Sequence, residues 1–200
     1  MRKHALHGET VTVVRRFSRA QSEKRAAARR AAAELAAEGG YPLVTMAAVA
    51  GRIGITRATI YRYFSSKDHL LREVMEEWAA EVNEDLRRRP PRAAALSERV
   101  GAAFERIVNA AVRNRGLTSA LLLAATSPDS GGALPAWSSP VGDYLETVIG
   151  EKKLPRMQEI TDVLSYVLFA ALIGAVLRGQ DPAEATAVLR TAVRLLLPRR

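Results

Sequence analysis

The chain has 200 residues, of which 48% are hydrophobic and 26% are charged, and it contains no cysteine. This length and composition are typical of one or two globular domains with a buried core, and they exclude a disordered chain. The lack of cysteine excludes a disulfide framework and a thiolate metal site, which fits a reducing compartment. The first 20 residues are polar and basic without an apolar core, so we expect no secretory signal.

The positive charge of the chain is confined to its first third. Residues 1–67 contain 13 Lys or Arg and 4 Asp or Glu, whereas residues 68–200 contain 17 of each kind. A strongly basic end on an electrically neutral body indicates that this end has a polyanionic partner. Nucleic acid is the first candidate for that partner, and an acidic membrane surface is the second.

The chain begins with a segment that shows little periodicity, residues 1–20, which we interpret as a mostly disordered basic arm. Ser22 can cap a helix, and the alanine-rich run at 26–37 has high helix propensity. Gly39-Gly40 ends this first helix, and Tyr41-Pro42 predicts an extended turn after it.

Two short helices are predicted next. Thr45 can cap a helix at Met46–Arg52, and Gly54 lies in the turn that follows it. Thr56 can cap a second helix that extends to about Tyr63. Two short helices joined by a tight glycine turn are the helix-turn-helix unit.

Helical signals continue through the rest of the chain. Ser65 or Ser66 can cap a helix that Pro90-Pro91 ends. Val163–Leu177 has no charge, but its 15 residues are fewer than the roughly 20 that cross a bilayer, so we interpret it as part of a buried helix. No segment alternates with period two, so the predicted fold class is all-α. Further helices are predicted at 93–113, 117–126, 141–149, 155–179 and 182–197, and a loop is predicted at 127–140.

The stretch Thr45–Leu71, TMAAVAGRIGITRATIYRYFSSKDHLL, resembles the DNA-binding signature of TetR-family transcriptional regulators. The matching features are Thr45, Ala50 and Gly54, the string Thr59–Phe64, Lys67 and Leu70-Leu71, with Gly39-Gly40-Tyr41 upstream. Its second part, RATIYRYFSSKDHLL, is similar to actinobacterial regulators of lipid and steroid catabolism. The resemblance implies about nine helices. It also implies a three-helix helix-turn-helix DNA-binding domain at 21–67, followed by a helical ligand-binding and dimerisation domain at 68–200.

We predict that the second short helix reads DNA in the major groove. Ile60 and Phe64 can face inward, which leaves Arg57 for a bidentate contact with guanine and Ala58 for close approach. The resemblance implies phosphate contacts for Thr45, Thr59, Tyr63 and Lys67. The alternatives left open are a solvated position for Arg57 and core positions for the tyrosines. The predicted DNA-binding residues are Thr45, Thr56, Arg57, Ala58, Thr59, Tyr61, Arg62, Tyr63 and Lys67. Basic residues of the first helix that could contact DNA or form a solvated face are Lys24, Arg25, Arg29 and Arg30.

The resemblance also implies a dimer face and a small-molecule pocket in the C-terminal domain. Helix-turn-helix proteins usually bind palindromes as two-fold dimers, and the two C-terminal helices have broad apolar faces. For every candidate the alternative is ordinary core packing. The candidate dimer residues are Val163, Val167, Ala171, Gly174, Val188, Ala192 and Leu195. The candidate pocket residues are Phe104, Val108, Leu121, Trp137, Tyr144, Tyr166 and Phe169, and they suit an apolar or amphipathic effector.

The sequence contains no catalytic motif. Its three histidines have no partners at metal-ligand spacing, and the acidic run at 76–85 lies on a helix with arginines as a solvated face. We therefore predict no catalytic residues, no metal and no cofactor. The predicted function is a ligand-responsive, homodimeric regulator of palindromic operator DNA in the cytoplasm at the nucleoid, a repressor by analogy with the family. The alternatives are a sequence-specific or nucleoid DNA-binding protein without an effector, and a peripheral membrane protein, although no membrane partner is expected.

Overall fold

The computed structural model of the chain describes residues 18–127, 134–149 and 155–197, without the side chains of 134–140 and 149. The regular structure of these residues is helical throughout, as predicted. The predicted arm, up to residue 17, lies outside them. The helices are α1 Arg19–Leu43, α2 Met46–Arg52, α3 Arg57–Tyr61, α4 Lys67–Arg88, α5 Leu96–Arg113, α6 Arg115–Ala125, α7 Leu134–Ile149, α8 Met157–Leu172 with a π-helical continuation Ile173–Leu177, and α9 Pro182–Leu196.

The first helix begins one turn earlier than the predicted cap at Ser22. Ser18 is the cap: its hydroxyl accepts from the Gln21 N–H at 3.3 Å, and the Gln21 side chain accepts from the Ser18 N–H at 2.8 Å. This reciprocal capping box satisfies two backbone donors, which favours the earlier start. The helix is interrupted at Gly39-Gly40, as predicted, where Gly40 has a φ of +67°. The predicted extended turn is wrong, because Tyr41–Leu43 resumes a helical turn in which proline needs no N–H donor.

The caps of the helix-turn-helix segment are those that the sequence predicts. Thr45 accepts from the Ala48 N–H at 3.0 Å, Thr56 from the Thr59 N–H at 3.2 Å, and Ser66 from the His69 N–H at 3.1 Å. Gly54, with a φ of +68°, lies at the left-handed position after α2. Its N–H donates to Gly51 and that of Ile55 to Ala50, which is the Schellman pattern.

The loop predicted at 127–140 is wrong for its second half. Helix α7 begins at Leu134, and its Pro135 lies in the first turn, where a missing N–H costs nothing. The α8 helix begins at Met157 rather than at Pro155. The α9 helix follows its predicted signal closely, because Asp181 accepts from the Ala183 N–H at 2.9 Å and Pro182 is the first helical residue.

The C-terminal apolar helix is part of the core of the body. Met157–Leu177 spans 21 residues with a mean hydropathy of 2.1, so by length and composition alone it could cross a membrane. Half of its most apolar stretch is buried by the rest of the chain. It packs against α5, α7 and α9, and residues such as Leu164 and Leu172 are fully enclosed. These contacts are those of a core helix, as the sequence predicted.

The first helix and the C-terminal body share a close helix–helix contact. The α1 helix packs along α6, and Gly116 of α6 lies against the backbone of α1. A methyl group on Gly116 would lie 2.7 Å from the Ala37 carbonyl oxygen and 2.9 Å from that of Ala36. Such distances are shorter than van der Waals contact, so only glycine lets these two helices approach this closely.

Replacing Gly116 with Ala is therefore expected to destabilise the protein by about 1–3 kcal/mol, because the added methyl must push backbone aside. Urea denaturation measures the change. Gly101→Ala in α5 is the matched control, since its methyl would lie 3.5 Å from the Arg190 side chain, an ordinary contact. That control is expected to gain about 0.5–1 kcal/mol from helix propensity. Equal effects of both substitutions would contradict the close α1–α6 packing.

Candidate functional site

The α3 helix presents a polar face on a buried support. Ile60 and the following Phe64 are completely buried, whereas Arg57, Ala58 and Tyr61 are exposed. The Arg57 guanidinium carbon lies 5.6 Å from the centroid of the Tyr61 ring, so the two side chains stack on the exposed face. Of the two open readings for Tyr61, the core position is excluded, because 44% of this residue is exposed.

A cleft of about 460 Å³ lies beside this face, between the start of α2, the α3 helix and the start of α4. Arg57 and Tyr61 form one wall, and Lys67 lies at the N-terminus of the 22-residue α4. The Lys67 ammonium is 3.5 Å from the centroid of the Tyr41 ring, which holds the charge at the rim. A cation beside a long helix N-terminus is an arrangement that accepts phosphate oxygens.

The remaining residues predicted to bind DNA surround the same face. Thr45 and Thr56 are exposed and act as helix caps. Thr59 is half-buried, and its hydroxyl lies 2.8 Å from that of Thr56. Arg62 is exposed and Tyr63 is half-buried. Of the nine predicted side chains, the structure brings Thr45, Arg57, Tyr61 and Lys67 to the walls of one cleft.

A buried hydrogen bond anchors this end to α4. The Tyr41 hydroxyl donates to the Asp68 carboxylate at 2.7 Å, and Asp68 is only 6% exposed. Asp68 also lies in the first turn of α4, where a negative charge is stabilised by the helix dipole. The pair links the turn before α2 to the helix that leads into the body.

Tyr41→Phe is expected to lower the free energy of unfolding by about 1.5–3 kcal/mol, because it removes a hydrogen bond to a buried carboxylate. Urea denaturation at neutral pH checks this value. Tyr166→Phe is the control, since Tyr166 is 55% exposed and its hydroxyl is expected to contribute less than about 0.5 kcal/mol. If the two variants are equally stable, the Tyr41–Asp68 bond does not anchor the segment.

An ion-pair cluster joins α1 to α4. Arg25 and Arg29 both pair with Glu73, and Arg29 also pairs with Glu77. Burial alone would raise the pKa of the Glu73 carboxyl, but the hydrogen bond from Arg25 and the charges of Arg25, His69 and Arg29 outweigh it, and the pKa is lowered. Two of the four basic residues that we considered for DNA contact on α1 are thus committed to α4.

The body contains a small cavity between α4, α5, α7 and α8. Its volume is about 30 Å³, and two of the predicted pocket residues, Phe104 and Tyr144, line it. Val108 and Leu121 are fully buried in the core but do not line this cavity, and Phe169 is half-buried. Lining residues that the sequence analysis missed are Trp78, Ala79, Val82, Asn83, Ile107, Val141 and Leu168.

Two further pocket predictions are Tyr166 and Trp137. Tyr166 points away from the cavity, since it is 55% exposed on the face of α8 opposite Leu168. The helical period places residues two apart on opposite faces, so the exposed Tyr166 and the buried Leu168 cannot line the same cavity. Trp137 belongs to α7, but its side chain lies outside the described residues.

An exposed apolar face lies on α8 and α9, which pack against each other. Val163 is 45%, Val188 66% and Leu195 81% exposed, and the exposed Tyr166 lies one turn from Val163. Val167 and Ala192 are half-buried beside them. Ala171 and Gly174, which we also predicted to lie there, are buried inside the subunit, and Gly174 faces the Gln180 side chain of its own chain.

Within the described residues, no group of three or more His, Asp or Glu side chains could hold a metal ion. What the described chain offers is a short exposed helix with arginine and tyrosine, supported by a glycine turn and followed by a helical body. This arrangement defines the class of the protein as a helix-turn-helix DNA-binding regulator.

Comparisons with known proteins give the family. Residues 29–74 match the family described as bacterial regulatory proteins, tetR family. The HTH-type transcriptional repressor KstR of Mycobacterium tuberculosis (strain ATCC 25618 / H37Rv) is 29% identical over 189 residues, which cover 90% of this chain and 83% of that protein. The helix-turn-helix segment is therefore that of a TetR-family regulator. This confirms the resemblance drawn from Thr45–Leu71, and the mycobacterial relative agrees with its narrower, actinobacterial part.

Solved structures show the same fold over most of the chain. A TetR transcriptional regulator from Rhodococcus sp. RHA1 superposes with a TM-score of 0.76 at 23% identity, covering 89% of this chain and 97% of that one. Thermus thermophilus FadR, a TetR-family repressor solved in complex with lauroyl-CoA, gives a TM-score of 0.68 at 21% identity, covering 86% and 92%. The relatives are regulators of transcription.

Proposed function

We propose that the protein is a homodimeric transcriptional repressor that binds palindromic operator DNA and is released by a small apolar or amphipathic effector. The observation that carries the proposal is the exposed Arg57–Tyr61 face beside the Lys67 cleft. In this proposal Arg57 contacts a base edge, and Tyr61, Arg62 and Lys67 contact the phosphate backbone. The KstR relative is a repressor by name, which supports repression over activation.

The arginines of the N-terminal helices fall into two groups, those paired within the chain and those exposed for contact with DNA. Arg52 is paired with Glu38 at 2.9 Å, as Arg25 and Arg29 are paired with α4. The exposed Arg57 and Arg62 are in none of the ion pairs among the described residues. These two side chains are therefore the cations best placed to exchange water and counterions for DNA.

The apolar face on α8 and α9 supports the homodimer. Large hydrophobic side chains at this exposure, clustered on two neighbouring helices, are typical of an interface between subunits. A second copy of the chain is the natural occupant, since reading both halves of a palindrome requires two-fold symmetry. In this proposal Val163, Val188 and Leu195 are buried between the subunits, with Tyr166 added to the predicted set.

The effector response follows from the position of α4. This helix carries Lys67 and the Asp68 anchor at its N-terminus, and Trp78 and Val82 at the cavity of the body. A ligand that displaces Trp78 moves the same rigid helix that supports the reader, so effector and operator weaken one another's binding reciprocally. We place the protein in the cytoplasm, where operator DNA is accessible.

A release assay tests the effector response. A thermal-shift screen of lipids, acyl-CoA esters, steroids and aromatic drugs identifies binders, and fluorescence anisotropy with labelled operator then measures release. At least one binder is expected to raise the melting temperature and to lower operator affinity. The small volume of the cavity favours the rival function, a DNA-binding protein without an effector, and a screen without any binder would support that rival.

A further inference from the structure

A groove lies on the surface of the body between α5 and α9. Its volume is about 760 Å³, which is within the range of small-molecule sites. Small side chains form much of its walls, with Gly101 and Ala102 on α5 and Ala187 on α9. The α5–α9 groove shares no residue with the cleft beside Lys67 or with the cavity beside Trp78, so it is a separate feature of the surface.

The groove and the exposed apolar face lie on different sides of α9. Ala187, Arg190 and Arg194 line the groove, and their spacing of three and four residues places them on one side of the helix. The exposed Val188 and Leu195 each follow one position later, on the adjacent side. The proposed dimer contact is therefore centred beside the groove and not on it.

The N-terminus of α5 lies at the groove with hydrogen-bond donors to offer. Ala95, the capping residue, has no side chain that could accept from the N–H groups of the first turn. Ser97, in that turn, lines the groove, is only 6% exposed, and has no hydrogen-bond partner for its hydroxyl among the described residues. Buried polar groups are nearly always paired. An unpaired hydroxyl at the N-terminus of an 18-residue helix therefore indicates that the groove receives a hydrogen-bond acceptor.

Two opposite charges line the groove without an ion pair to the rest of the described chain. Arg194 donates to the Thr191 hydroxyl at 3.2 Å, which holds the guanidinium along α9. Glu98 lies in the first turn of α5, next to Ser97. The other cation of the groove, Arg190, is already paired with Glu105 across the two helices. Arg194 and Glu98 are thus the charges that a ligand can meet.

These groups select a ligand that carries both charges. A carboxylate can accept from the Ser97 hydroxyl and from the first N–H groups of α5, and it attracts Arg194. An anion without a positive group would also meet the Glu98 carboxylate, and a cation without a negative group would meet Arg194. A molecule with one carboxylate and one ammonium complements both side chains.

We propose that the α5–α9 groove binds a zwitterion with a small apolar side chain. The carboxylate lies at Ser97 and Arg194, the ammonium lies at Glu98, and the apolar part packs on Gly101 and Ala102. Free amino acids and short peptides share this chemistry. The site goes beyond the proposed function, because neither operator binding nor the cavity beside α4 takes part in it.

Calorimetry with the full-length protein and no DNA tests the site. The zwitterionic probes are leucine and leucyl-leucine. Leucinamide lacks the carboxylate and 4-methylpentanoate lacks the ammonium, so each keeps only one of the two charges. At least one zwitterion is expected to bind about tenfold or more tightly than either single-charge probe, since a hydrogen bond to a charged group is lost with each deletion.

Two exposed substitutions test the two charges separately. Arg194→Gln is expected to weaken leucine and 4-methylpentanoate about tenfold but not leucinamide. Glu98→Gln is expected to weaken leucine and leucinamide but not 4-methylpentanoate. Ser97→Ala should weaken the probes that carry a carboxylate. Arg113→Gln on α5 and Glu184→Gln on α9 are the matched controls, because both residues are exposed outside the groove, and they should bind like the wild type.

The outcomes separate the two sources of the zwitterion and keep the site distinct from the proposed function. Tighter binding of leucyl-leucine assigns the groove to peptides, and equal or tighter binding of leucine assigns it to amino acids. If neither zwitterion binds, or if Arg194→Gln and Glu98→Gln both bind leucine like the wild type, the site is overturned. Operator affinity should be unchanged in these variants, so a failure of operator binding leaves the test of the groove intact.

Discussion

Replacing Val188 with Glu is expected to convert the protein into a monomer and to lower its affinity for a palindromic operator by about 10²–10⁴-fold. Val188 is 66% exposed in the subunit, so a carboxylate there is solvated in the monomer. In a dimer that buries the α8–α9 face, two carboxylates related by the two-fold axis would lose solvent and repel each other. Affinity falls because a dimer binds both half-sites together, whereas each monomer binds one half-site independently.

Sedimentation equilibrium and operator titration measure these two effects on the same sample. Ala187→Glu is the matched control, because Ala187 is exposed on α9 but lines the groove toward α5. The control should stay dimeric and retain its operator affinity. If the Val188→Glu variant sediments as a dimer, the proposal that α9 forms the interface is wrong.

The second large effect is expected from Arg57→Ala. Each bidentate arginine–guanine contact provides about 1–3 kcal/mol of discrimination, and the dimer would lose one such contact at each half-site. Affinity for the operator should therefore fall steeply, whereas affinity for random DNA should fall only by the loss of one positive charge per subunit. The stability of the fold should not change, because Arg57 is exposed on α3.

Arg30→Ala removes one positive charge from an exposed position on α1 and serves as the control for charge alone. Titration of operator and of random DNA at several salt concentrations separates the two contributions. Arg57→Ala should change the ratio of the two affinities, and Arg30→Ala should not. If both variants weaken both DNAs equally, Arg57 contacts phosphate and another residue reads the bases.

The helix-turn-helix segment was predicted well because its caps and its turn depend on residues close in sequence. Thr45, Thr56 and Gly54 act through hydrogen bonds to backbone groups within a few positions, so the caps and the turn of the helix-turn-helix follow from the sequence itself. The same holds for Asp181 and Pro182 at the start of α9. The loop predicted at 127–140 was partly wrong because a proline in a first helical turn looks like a helix breaker.

The body could not be predicted at the same level because its faces depend on distant contacts. Tyr166 was assigned to a pocket, yet it is exposed, and Gly174 was assigned to a dimer face, yet it packs on Gln180. Trp78 lies in an acidic helix, where its apolar spacing with Val74 and Val82 could have indicated its inward position. Which aromatic side chain faces a cavity depends on how four helices cross.

The charge distribution of the sequence is also more specific in the structure. Arg25 and Arg29, which we considered for DNA contact or a solvated face, pair with carboxylates of α4. Arg52 pairs with Glu38 of α1. The cations that remain at the reader are chiefly Arg57, Arg62 and Lys67. In the proposed function, sequence reading therefore depends on fewer charges than the net charge of the first third implies.

Selection of binding sites from a pool of random DNA duplexes tests the central proposal most directly. The wild-type protein is expected to enrich a palindrome with two inverted half-sites, and Arg57→Ala should lose preference at one base pair in each half. Enrichment of no sequence, or of a single half-site without its inverted partner, would contradict a homodimer that reads DNA through α3.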